Sequence, residues 1–239
     1  MADFIIAQDK VKKAEGGYTD NPKDGGNWLD IKGSKTGSVK MVGGKPKSKL
    51  GGKPVLVGTN FGVAAPTLAA YLNRPITAAE MKAYRYEDAL KLYKNSYWKP
   101  IGGDTINDQN VADLLYDSIV QHGAGGTGKI LSKALGKTVK LPIDNQKASL
   151  INSVSGSELF NKIKDARLAY YETLPNYDTF GKGWLNRMEG LVYSGARAAA
   201  SAVSENKGTT GAIGLFFLLG LATVYTLSGS VDKNKNGKQ

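Results

Sequence analysis

No charged residue occurs between Lys207 and Asp232, and that gap limits how the whole chain can be organised. The intervening stretch, 208–231, contains the dense apolar run GAIGLFFLLGLATVYTLSG. At ~1.5 Å per residue, about 20 residues cross a ~30 Å hydrocarbon core, so the length suits one membrane helix. Gly211, Gly214 and Gly220 are compatible with that reading, because lipid offers a helical backbone no competing partner. A buried core helix is the alternative. The polar SENKGTT stretch before the run favours an anchor. Lys233, Lys235 and Lys238 follow it, against Arg197 and Lys207 before it. The positive-inside rule therefore leans toward a cytoplasmic tail (232–239) with the body outside the inner membrane. At the other end, MADFIIAQDKVKK has a short apolar patch preceded by Asp3, unlike a cleavable secretory signal.

The charge balance is the second constraint. Thirty-two Lys and Arg against 21 Asp and Glu give +11 over 239 residues. Such a surplus favours a polyanionic partner: nucleic acid, anionic lipid or an acidic wall polymer. No cysteine is present, which excludes disulfides, thiolate metal sites and a cysteine nucleophile. A single histidine, His122, excludes a multi-histidine zinc site. No metal and no cofactor are expected.

Most of the chain has helical periodicity. Residues 2–14 place Phe4, Ile5, Val11 and Ala14 on a helical face that must stop at Gly16-Gly17. Helices are predicted at 66–72, after a Thr77/Glu80 capping box, at 86–97, 108–121, 129–135, 146–154 and 157–174. The helix at 108–121 would bury Val111, Leu114, Leu115, Ser118 and Ile119. That at 157–174 would gather Leu159, Ile163, Ala166 and Tyr170. An Ala-rich helix at 190–204 would lead to the apolar run. The exception is 27–58, with seven Gly and seven Lys against a single acid, Asp30. It reads as a basic loop or hairpin ending in Pro54-Val55-Leu56-Val57. The body is mainly α.

Two groups of residues could carry chemistry. GAGGTGK at 123–129 satisfies G-x-x-x-x-G-K, yet Ile130 stands where Ser or Thr must bind magnesium, and a helix precedes it instead of a strand. It reads as a glycine-rich helix–helix turn, with His122 a structural residue at a helix C-terminus, where the dipole favours it. The second group is acidic: Glu15 at a helix end, then Asp20 and Asp24 around Pro22. Glycosidic hydrolysis needs one protonated carboxyl for the leaving oxygen and one ionised partner. Spacing alone leaves these open as ordinary turn residues.

The motifs extend further. Glu15-Gly16-Gly17-Tyr18 and Asn21-Pro22-Lys23-Asp24-Gly25-Gly26 resemble the signature of the glycoside hydrolase 108 family of N-acetylmuramidases. Its T-N-x-G-I element resembles Thr59-Asn60-Phe61-Gly62-Val63, displaced here by the basic insertion. ALKLYKNSYW at 89–98, Leu131–Gly136, Arg167 with Tyr170-Tyr171, and Gly183-Trp184-Leu185-Asn186-Arg187 resemble later family elements in order. The resemblance spans about residues 4–190. It implies a lysozyme-like fold, with Glu15 as general acid and Asp24 as base or electrostatic partner. It further implies that Thr59 positions a water and that Tyr18, Asn60 and Phe61 line a sugar cleft.

The implied organisation is a catalytic domain (1–136, with the insertion at 27–58) and a peptidoglycan-binding-type helical region (137–190). A linker helix (191–207), a transmembrane anchor (208–231) and the basic tail follow. The implied activity is cleavage of the MurNAc-β-1,4-GlcNAc bond of peptidoglycan during phage entry or host lysis. The body would face the wall from a virion internal membrane or the host inner membrane. A catalytically silent peptidoglycan-binding component is the alternative. Without a recognition motif, nucleic acid is not an expected partner.

Overall fold

The computed structural model describes residues 1–12, 17–175 and 177–194. Glu15 and Ala14 lie outside the described residues, as do the anchor at 208–231, the tail and all but 191–194 of the linker helix. Among the described residues, no helix is long and apolar enough to cross a membrane.

The first helix, α1 (Phe4–Lys12), buries Phe4, Ala7, Gln8 and Val11. This is the i, i+3, i+4, i+7 stripe of a 3.6-residue repeat. Ile5, expected on that face, is instead 52% exposed, because it sits about 100° around the helix from Phe4. Gln8 takes its place in the core and accepts a hydrogen bond from the Tyr116 hydroxyl.

The 27–58 segment is more than a hairpin. Strands β1 (Trp28–Lys32), β2 (Lys35–Ser38), β3 (Lys40–Val42), β4 (Lys45–Lys47) and β5 (Lys53–Leu56) form two sheets. One is three-stranded and antiparallel in the order β2-β1-β5; the other is the β3-β4 pair. The expected Pro54–Leu56 strand is present, but it pairs with β1, placing Leu29 opposite Val55. Asp30 explains why this lysine-rich stretch folds. Its buried carboxylate accepts from the Ser48 hydroxyl (2.7 and 2.9 Å) and from the N–H groups of Lys49 (2.6 Å) and Leu50 (2.9 Å). Burial alone would raise its pKa. The donors at Leu50, Ser48 and Lys49 outweigh that and hold it below the ordinary value.

A two-stranded hairpin follows, β6 (Thr59–Asn60) and β7 (Val63–Ala64). Helices α2 (Ala65–Leu72), α3 (Ala78–Ala83) and α4 (Tyr86–Tyr93) come next, and a π turn (Lys94–Trp98) extends α4. Thr77 caps α3 through the expected reciprocal box with Glu80. Trp98 is fully buried between Phe4 and Tyr116, with ring centroids at 5.8 Å from each.

The long helix α5 (Gln109–Leu135) takes up two predicted helices and the glycine-rich run between them. It breaks at Gly123, whose φ of +66° and ψ of −179° are non-helical. Gly126 lets α7 (Gly156–Glu172) approach, since a Cβ there would stand 2.9 Å from the Tyr170 hydroxyl. The G-x-x-x-x-G-K pattern is thus a packing device inside a helix. His122, at the break, has its ring 5.2 Å from both Tyr170 and Tyr171. It is structural, as expected, but not as a cation on the dipole. Burial, and then the charge of Arg167, lower its pKa to about 4.

Helix α6 (Asn145–Asn152) precedes α7, and α8 (Tyr177–Glu189) follows it. Periodicity did not reveal α8, because Gly181 and Gly183 interrupt its apolar pattern. Two motif arginines meet one carboxylate on α5. Arg167 of α7 reaches Asp117 at 2.5 Å, and Arg187 of α8 donates to it through Nε at 3.0 Å and through Nη2. Residues 1–191 form one compact unit.

Candidate active site

The basic segment leaves and returns at one residue. Asn27 is fully buried, and its carbonyl accepts from the N–H groups of both Val57 and Gly58 at 2.9 Å. Its own N–H donates to the carbonyl of Asp24 (3.2 Å), and its amide Nδ2 to that of Asn21 (3.0 Å). Trp28 Nε1 donates to the carbonyl of Pro22 at 2.9 Å. The excursion therefore closes on itself. Such closure costs little more for a long loop than for a short one.

The consequence falls on Thr59. It forms a two-way backbone bridge with Thr19, N–H to carbonyl at 2.8 and 2.9 Å. The two motif halves, forty positions apart in the chain, thereby lie side by side. Asp24 is exposed on the adjoining turn, where its Oδ1 accepts from the N–H of Gly26 at 2.8 Å. That bond fixes the carboxylate as the cap of the 25–27 turn, on a residue that remains exposed.

Tyr18 is half-buried. Its hydroxyl donates to the carbonyl of Val57 (3.1 Å) and lies 3.4 Å from Asp20. Desolvation, then the Asp20 charge, push its pKa up, so the phenol stays protonated at neutral pH. Lys82 lies over the ring, 5.0 Å from its centroid.

Asn60 and Phe61 have different duties. Asn60 is buried, and its amide donates to the carbonyls of Met81 (2.9 Å) and Tyr84 (3.4 Å). It ties β6 to the end of α3 and does not face solvent, contrary to its expected place in a sugar cleft. Phe61 has φ +49° and Gly62 φ +73°, the two positive values of a type I′ hairpin turn. A bulky residue rarely adopts this conformation. Two tyrosines hold it there: Tyr86 edge-on at 5.5 Å, and Tyr93, whose hydroxyl donates to the Phe61 carbonyl at 3.2 Å. Lys82 and Tyr86 were not singled out from sequence, whereas Tyr93 belongs to the ALKLYKNSYW element at 89–98. Among the described residues, no group of acids and histidine is arranged to hold a metal ion.

The comparisons with known proteins bear on this arrangement. Residues 8–123 match the family model "Glycosyl hydrolase 108". No curated protein matches the chain. Among solved structures, that of Brucella abortus SagA is 28% identical, with a TM-score of 0.59, covering 86% of this chain and 98% of that one. The family match runs from within α1 to the break in α5, taking in both motif halves and the segment between them. Residues 8–123, just under half of the 239, are thus similar to the glycosyl hydrolase 108 family.

Proposed function

We propose that the chain is a lysozyme-like muramidase that hydrolyses the β-1,4 bond between N-acetylmuramic acid and N-acetylglucosamine in peptidoglycan. The observation that carries this reading is the Thr19–Thr59 bridge, which rejoins the interrupted family motif beside the Asp24 turn. Glu15 is the general acid that protonates the glycosidic oxygen. Asp24 is the base or electrostatic partner, and its exposure on the turn suits either role. Thr59 positions the attacking water. Tyr18 and Phe61 supply apolar faces for the sugar rings. We favour single displacement with inversion, which requires the two carboxyls to be about 6.5 Å or more apart, whereas about 5 Å would give retention.

Residues 208–231 act as a membrane anchor in this reading. The body then works on the wall from a virion internal membrane or the host inner membrane, in phage entry or host lysis. Zymography on purified peptidoglycan tests the catalytic assignment. Glu15→Gln is expected to lose at least ~100-fold in activity, and Asp24→Asn to lose a measurable share. Full activity in Glu15→Gln overturns the mechanism. Carbonate-resistant membrane association should vanish on truncation after Lys207; its persistence removes the anchor.

A further inference from the structure

All seven lysines of the 27–58 segment are exposed, and among the described residues none forms an ion pair. The segment's one carboxylate, Asp30, is buried and spends its oxygens on Ser48, Lys49 and Leu50. The β3–β4 hairpin concentrates the excess charge. Lys40 stands opposite Lys47, and Val42 opposite Lys45. Residues directly opposite share a face, so Lys40, Val42, Lys45 and Lys47 form one exposed surface. The other face carries Met41 and Pro46, both half-buried. That face leans on the candidate site: a Cβ at Gly25 would meet Met41 Cγ at 3.1 Å. A like-charge pair directly across two strands opposes folding. The three lysines therefore contribute nothing to the fold through their charge, and they lie on the face opposite Met41, directed away from the Asp24 turn.

We propose that the Lys40–Lys45–Lys47 face binds a phosphodiester-linked polyol polymer of the cell envelope and so tethers the enzyme to the wall on the outer side of the hairpin that packs on the Asp24 turn. The proposal rests on the peptidoglycan-hydrolase reading and names what the insertion adds to it. The residue types choose the partner. The segment's seven lysines are flexible point charges, which pair readily with the singly charged phosphodiesters repeated along such a polymer. No aromatic lies on the face to stack a nucleic-acid base. A single valine is too small to seat the hairpin in a bilayer.

The test compares walls that carry phosphodiester polymer with the same walls stripped of it by hydrofluoric acid, using the full chain. At low salt, KM is expected to be about tenfold lower on the polymer-bearing walls, with the difference lost at about 0.5 M salt as the charges are screened. Lys40→Gln/Lys45→Gln/Lys47→Gln should abolish the difference, and Lys40→Arg/Lys45→Arg/Lys47→Arg should keep it. A glutamine variant that retains the difference overturns the proposal, as does wild type showing none. If neither wall is cleaved, the hydrolase reading fails separately. Filter retention of soluble poly(glycerol phosphate) by wild type but not by the glutamine variant then still supports the face, and no retention overturns it. Equal affinity for duplex DNA or anionic vesicles overturns the choice of polymer.

Discussion

Gly58 has φ +99°, and the Tyr18 ring lies against it so closely that a Cβ would stand 2.6 Å from Cε2. The position therefore needs glycine twice over, for its backbone and for the ring beside it. Gly58→Ala should cost about 1–3 kcal/mol in a urea titration and should also weaken wall hydrolysis, because Tyr18 must move. Wild-type activity in that variant would show that the Tyr18 position is irrelevant to the reaction. None of this was legible in the chain. Gly58 read as the end of a loop, and its ring partner lies forty positions earlier. Tyr18 and Asp24 could be selected as candidates because their half of the motif is local in sequence, and Thr59 because the Thr59–Val63 element is legible on its own. Asn60 was misplaced because a motif names a residue and not the direction in which its side chain turns.

At the level of elements, helix periodicity was the legible signal and charge was the misleading one. The face Val111, Leu114, Leu115, Ser118 and Ile119 is buried as its spacing requires. The neighbouring Asp117 and the distant Arg167 are buried too, which no hydropathy pattern suggests. Their pairing, completed by Arg187, clamps α7 and α8 to α5. Burial would raise the Asp117 pKa, but the charges of Arg167 and Arg187 and their hydrogen bonds hold it below the ordinary value. Asp117→Ala leaves a fully buried guanidinium without its counter-charge and should lower stability by about 3–5 kcal/mol. A midpoint shift below about 1 kcal/mol in chemical denaturation would show that the clamp is not holding the helices.

For the whole molecule, the chain's one histidine makes a pH prediction. His122 has its pKa lowered from 6.5 to about 4 by burial and by Arg167 and Arg187, against an opposing pull from Asp117. The unfolded chain takes up this proton near pH 6.5, whereas the folded chain refuses it until about pH 4. Stability is then complete above about 6.5 and declines as the pH falls toward 4. Melting temperatures between pH 7.5 and 5, above the range where carboxylates titrate, should show the decline in wild type and a flatter profile in His122→Gln. Identical profiles would mean that His122 is not the group responsible.

The sequence by itself determined the mainly helical class, the positions of most helices, the capping box and each half of the family motif, because each depends on residues close together in the chain. It also located the excess charge in 27–58. Tertiary structure decided everything that depends on distant partners. It showed that the basic segment is two sheets closed at Asn27, and that Thr59 meets Thr19. It showed that the glycine-rich run serves helix packing, and that two motif arginines share one carboxylate. Local propensity and periodicity are written in neighbouring residues, whereas burial and pairing exist only once the chain has closed upon itself.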